Sequence, residues 1–127
     1  GTDWPFQVVG FTDPVYGDFT FTPGEKAGMA KHVEGKGATN YGLDLRGLDA
    51  DKQKFTLKYI LDFYNKMPDK SKFFVRAEFF DKLAGTDELR KQIIAGKTED
   101  EIRASWKPEL DDYKKMRTKY LIYPDFK

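Results

Sequence analysis

The sequence predicts an α+β fold, with a small, mostly antiparallel sheet from the N-terminal half packed against three or four C-terminal helices. Three observations carry this expectation. Nine of the 11 glycines fall within residues 1–50, and only Gly85 and Gly96 lie beyond. Glycine supplies the positive φ angles of turns and weakens helices, so the first half reads as strands and loops. Short runs in that half alternate apolar and polar residues, whereas apolar residues in the second half recur every three or four positions.

Phe6-Gln7-Val8-Val9-Gly10-Phe11 is a β-rich run entered through Pro5. Phe19-Thr20-Phe21-Thr22 alternates ahead of Pro23, so one face of a strand would be buried and the other exposed. Tyr41-Gly42-Leu43-Asp44-Leu45-Arg46 alternates too, placing Tyr41, Leu43 and Leu45 on one face. Residues 24–40 hold Gly24, Gly28, Gly35 and Gly37 without an apolar period, which predicts a long loop. Loops of that length in compact domains are often functional.

Phe55, Tyr59, Phe63 and Met67 recur at intervals of four, with Ile60 and Tyr64 alongside, predicting a helix ended by Pro68. Phe73-Phe74-Val75 reads as a short strand or an extended segment, and residues 78–83 as a short helix stopped at Gly85. Thr86 is placed to cap a helix carrying Leu89, Ile93 and Ile94, with Gly96 at its left-handed C-terminal cap. Thr98-Glu99-Asp100-Glu101 is a capping box. Ile102, Trp106, Leu110, Tyr113, Met116 and Tyr120 then follow in steps of three or four. Pro108 interrupts this stripe and predicts a kink, or one helix ending where another begins. Tyr120-Leu121-Ile122-Tyr123 reads as a terminal strand or an extended tail stopped by Pro124.

The 127 residues suit one domain that buries very roughly two-thirds of its unfolded surface. Twenty aromatic residues supply the apolar area. With 22 basic and 21 acidic side chains, the surface is of mixed sign, which argues against a strongly basic nucleic-acid binder or an acidic disordered tail. Residues 51–127 carry 18 of the basic groups, but 14 acids are interleaved with them, so no concentrated basic face follows. No apolar stretch approaches the ~20 residues that span a bilayer, and no signal peptide opens the chain, which starts on Gly1 as at a processing boundary.

The absence of cysteine excludes disulfides, a thiolate nucleophile and Cys-ligated metal, and the single His32 excludes a two-His site. No cofactor and no metal is expected. A phosphate loop is absent, because Gly35-Lys36-Gly37 lacks the strand-to-helix setting. Ser71 and Ser105 are possible nucleophiles for His32, but no spacing links them, and a lone loop histidine reads first as structural. Glycosidases use two carboxylates about 5–10 Å apart. Among the acids, Glu25, Glu34 and Asp44 of the glycine-rich half are best placed to face a cleft, although each also reads as solvated charge. The rings of Trp4, Phe19, Phe21 and Tyr41 serve either as stacking platforms or as core between sheet and helices. Trp106 and Tyr113, at helical spacing, read as core.

Several segments in order resemble one bacterial family. They are Gly1-Thr2-Asp3-Trp4-Pro5-Phe6, Phe21-Thr22-Pro23, Tyr41-Gly42-Leu43-Asp44-Leu45, Leu83-Ala84-Gly85-Thr86, Ile93-Ile94-Ala95-Gly96-Lys97, Glu101-Ile102-Arg103-Ala104-Ser105-Trp106 and Arg117-Thr118-Lys119-Tyr120-Leu121-Ile122-Tyr123-Pro124. The family is that of the exo-β-N-acetylmuramidases, formerly a domain of unknown function. Its members are about three times this length, pairing an N-terminal Rossmann-like domain with a smaller C-terminal one across an active cleft. They release terminal N-acetylmuramic acid from peptidoglycan fragments in cell-wall recycling. The resemblance implies that this chain is the C-terminal domain, lining one side of the cleft, and that the catalytic carboxylates lie upstream of residue 1.

The same resemblance implies the Rossmann-like domain and muramyl sugars as partners, and a periplasmic or secreted location. Many members carry Cys two residues before the glycine matching Gly42, where this chain has Asn40. Thr2, Trp4, Phe21, Lys31, His32 and Tyr41 are the residues expected to contact sugar or the neighbouring domain. Thr, Lys and His would hydrogen-bond hydroxyl or lactyl carboxylate groups, and the rings would stack on the sugar face. Two further readings remain: a glycan-binding module that cleaves nothing, and a domain that only packs against its neighbour.

Overall fold

Gly42 sits at the centre of strand pairing in the computed structural model, which describes residues 1–28 and 33–125. Strands β1 (Val8–Phe11), β2 (Phe19–Phe21) and β3 (Asn40–Asp44) form an antiparallel sheet in the order β1-β3-β2. Gly42 lies opposite Gly10 on one side and Phe19 on the other. A Cβ on Gly42 would fall 1.9 Å from the carbonyl oxygen of Val9, and one on Gly17 would fall 2.2 Å from that of Gly42. The backbones therefore approach where side chains would otherwise intervene. A short 3-10 turn, Pro14–Tyr16, joins β1 to β2, opened by Asp13, whose carboxylate accepts from the Val15 N–H. It buries Tyr16, whose ring meets Phe11 edge-on.

Helices α1 (Lys58–Lys66), α2 (Ala77–Ala84), α3 (Glu88–Ile94) and α4 (Glu99–Arg117) complete an α+β architecture. The chain divides into two compact units, residues 1–55 with 65–70 and residues 56–64 with 71–127. The second holds a core of Leu57, Tyr64, Ile93 and Ile102, against which Ile60, Leu61, Phe80, Leu89 and Trp106 pack. Asp81 on α2 accepts from Nε and Nη2 of Arg90 on α3 at 2.9 and 2.7 Å. Buried Gln92 donates to the Ser105 hydroxyl, which donates to the Ile102 carbonyl, so Ser105 is occupied structurally.

Several expectations are corrected. β1 starts at Val8, because Phe6 adopts a positive φ of 61° and stands fully exposed. α1 starts at Lys58, because the Thr56 hydroxyl accepts from the Lys58 N–H while donating to Glu99, and Phe55 stays outside the helix. Residues 73–75 form turns, not a strand. Phe73 and Phe74 pack against Tyr64 and against each other, and Phe74 also meets Phe80, so ring burial outweighs β-propensity. α4 runs unbroken through Pro108. The carbonyl deprived of its partner there belongs to Ala104, which is exposed, so its oxygen is not left unpaired in an apolar interior. Among the described residues Tyr120-Leu121-Ile122-Tyr123 pairs with no strand, and Tyr113 is exposed instead of core.

The two expected glycine stops and the capping box are present. Gly85 caps α2 at φ 77° and Gly96 follows α3 at φ 74°, with the Lys97 N–H reaching the Gln92 carbonyl. The Thr98 hydroxyl accepts from the Glu101 N–H while the Glu101 carboxylate accepts from the Thr98 N–H. Asn40 is buried and donates its side-chain amide to the Ala38 and Gly35 carbonyls, closing the turn before β3.

Candidate functional site

A groove of about 280 Å³ opens between two stretches of the first unit, residues 1–4 and 21–26. The walls are tied by backbone and charge. Gly24 donates its N–H to the Gly1 carbonyl at 2.7 Å, and the Lys26 ammonium meets Asp3 at 2.6 Å. Thr2 braces its own wall, its hydroxyl accepting from the Trp4 N–H. On the other wall Pro23 is buried, its carbonyl accepting from the Gly37 N–H, and the Glu25 carboxylate pairs with Lys36. Thr2, Trp4 and Phe21, three of the expected contact residues, line this groove with Glu25.

Its aromatic side continues into the sheet. The rings of Phe19 and Phe21 lie 5.9 Å apart at 28°, and Trp4 packs 6.2 Å from Phe19. Phe19 and Phe21 stand opposite Gly42 and Asn40, so they occupy the same sheet face as Asp44. The Arg46 guanidinium lies 4.1 Å from the centre of the Trp4 ring, a cation–π contact, and 5.6 Å from that of Phe19. Asp44 holds Arg46 in place by a two-pronged pair at 2.8 and 2.6 Å.

These hydrogen bonds from the Arg46 side chain, and then from its backbone N–H, pull the Asp44 carboxyl down to about 2. Asp44 is thus an ionised anchor at neutral pH, with no proton to give a leaving group. Among the described residues no cluster of acids or histidine has the arrangement of a metal site. The groove's chemistry is a ring surface rimmed by two threonine hydroxyls, two carboxylates and an ammonium.

The family model described as Exo-beta-N-acetylmuramidase NamZ, C-terminal, matches residues 1–123. The chain belongs to this family. It is also similar to the crystal structure of a DUF1343 family protein from Bacteroides fragilis NCTC 9343, the same family, at 36% identity and a TM-score of 0.86. That similarity covers 99% of this chain and 36% of the other, so this NamZ C-terminal domain spans little more than a third of its solved relative. No curated protein matches it.

Of the other expected contact residues of the NamZ C-terminal domain, only Tyr41 is among the described residues, and it lies away from the groove. Tyr41 pairs with Thr20 and Phe11 on the sheet face opposite Phe19 and Phe21. Glu34 is exposed in a turn and does not line the groove. Lys31 and His32 lie outside the described residues. Sequence reasoning missed Asp3, Lys26 and Arg46. Arg46 was signalled by its place two residues after Asp44 in an alternating run, which puts both on one face. Nothing local signals Asp3 with Lys26, whose pairing spans 23 residues of chain.

Proposed function

We propose that this domain lines one side of the glycan cleft of an exo-acting glycosidase that releases terminal N-acetylmuramic acid from peptidoglycan fragments, outside the cytoplasm. The single observation behind this reading is the groove that gathers Thr2, Trp4 and Phe21. Its size falls just below the ~300–1,000 Å³ of common small-molecule sites, which suits one sugar ring better than a chain. The Trp4 face would stack on the sugar's C–H surface while the Thr2 hydroxyl and the charged rim meet its polar groups. The general acid and its partner carboxylate would come from an N-terminal Rossmann-like domain of the same polypeptide, because Asp44 is held ionised, with no proton to give, and both its carboxylate oxygens are taken up by Arg46.

The test is release of N-acetylmuramic acid from a chromogenic β-muramide by this chain alone and by a longer protein that includes the N-terminal domain. Turnover is expected only from the longer protein. Turnover by this chain alone would move the catalytic carboxylates into residues 1–46, to Glu25 or Glu34. Trp4→Ala in the longer protein is expected to raise KM by roughly two- to tenfold, as loss of an aromatic contact of about 0.5–1.5 kcal/mol implies. Unchanged KM and kcat would remove the groove from the site.

A further inference from the structure

The apolar stripe of α4 outruns the core that explains its beginning. Ile102 is fully buried and Trp106 packs against the core, but no residue after Ile102 in this helix is buried. At 3.6 residues per turn, Leu110, Tyr113 and Met116 continue along the face that Ile102 and Trp106 define. These three, with Tyr120, Ile122 and Tyr123 beyond the helix, are between 45% and 95% exposed. Six large apolar side chains exposed within 14 residues on a folded domain point to an interaction site.

The structure also narrows what covers it. On the polar side of the helix Lys107 pairs with Asp111 at 2.7 Å and Lys115 with Asp112 at 3.0 Å, while on the stripe itself Glu109 stands beside Tyr113 in projection and Arg117 pairs with Asp125 at 2.9 Å. This mixed-sign pattern presents no concentrated charge to steer a polyanion or a strongly charged partner. Residues 120–123 have the composition of a strand but form no strand among the described residues, and only the Tyr120 N–H, bonded to the Arg117 carbonyl at 2.9 Å, is turned back on the helix end. Nearly two-thirds of the solved relative's chain lies outside the part this domain matches, so a polypeptide of that length carries a covering body of adequate size.

We propose that the outer half of α4 and the segment 120–123 form the surface on which the larger remainder of the longer polypeptide seats. The seating goes beyond the glycosidase reading and holds whatever reaction the cleft performs. Hydroxyl-radical footprinting of this 127-residue chain and of the longer protein tests it. Modification of Tyr113, Met116, Tyr120 and Tyr123 is expected to slow several-fold in the longer protein. Equal rates in the two proteins would overturn the proposal. Slowing within the 127-residue chain as its concentration rises would overturn it too, assigning the surface to a second copy. In the longer protein, the double substitution Tyr113→Asp with Met116→Asp is expected to restore modification at Tyr120, whereas Lys114→Asp on the polar face leaves it slow. Protection that survives the double substitution counts against the stripe as the seat.

Discussion

Arg46 links two requirements that act on single residues, holding a carboxylate ionised and fixing the plane of a ring. Its bonds to Asp44 depress that carboxyl to about 2, below the ordinary Asp value near 4. A depressed folded-state pKa contributes stability that is fully present above the unfolded pKa and is lost as pH falls through the folded one. The difference in thermal midpoint between the native chain and Asp44→Asn should therefore be widest above about pH 4 and should close as pH falls toward 2. A difference independent of pH in that window would deny the pair its linkage role. At this scale the sequence was partly legible. The alternation of residues 41–46 places Asp44 and Arg46 together, but Trp4 is brought to Arg46 only by tertiary folding.

Elements were most legible where a local signal and tertiary packing agree. The capping box at Thr98 and the glycine stops at Gly85 and Gly96 depend on backbone groups within a turn or two, so short spacing suffices to find them. Thr98→Ala is expected to cost about 1 kcal/mol in urea unfolding of the chain. Boundaries failed where a distant partner decides. Thr56 moves the start of α1 through Glu99, and the Phe73–Phe74 pair becomes a turn because Tyr64 and Phe80 lie against it. In the sheet the sequence offered glycines without saying which one is indispensable. Gly42→Ala sets a methyl group against the Val9 carbonyl, and a loss of about 1–3 kcal/mol or more is expected, measured by the same unfolding. An unchanged midpoint would mean that β1 yields at no cost.

For the whole molecule, the α+β class followed from glycine placement and two periodicities, and the ordered set of short segments pointed to the family that the chain belongs to. What the sequence could not show was the division into two compact units, because Pro- and Gly-rich punctuation marks turns as readily as boundaries. The chain's two tryptophans fall one to each unit, Trp4 half-buried beneath a guanidinium and Trp106 half-buried against the helical core. Each unit thus carries its own intrinsic fluorophore. With Trp106 replaced by Phe, the emission spectrum becomes a private record of the sheet unit, and with Trp4 replaced, of the helical one. A sugar entering the groove would meet the first indole and leave the second dark to it, so titration and melting can be followed in the same cuvette by colour alone.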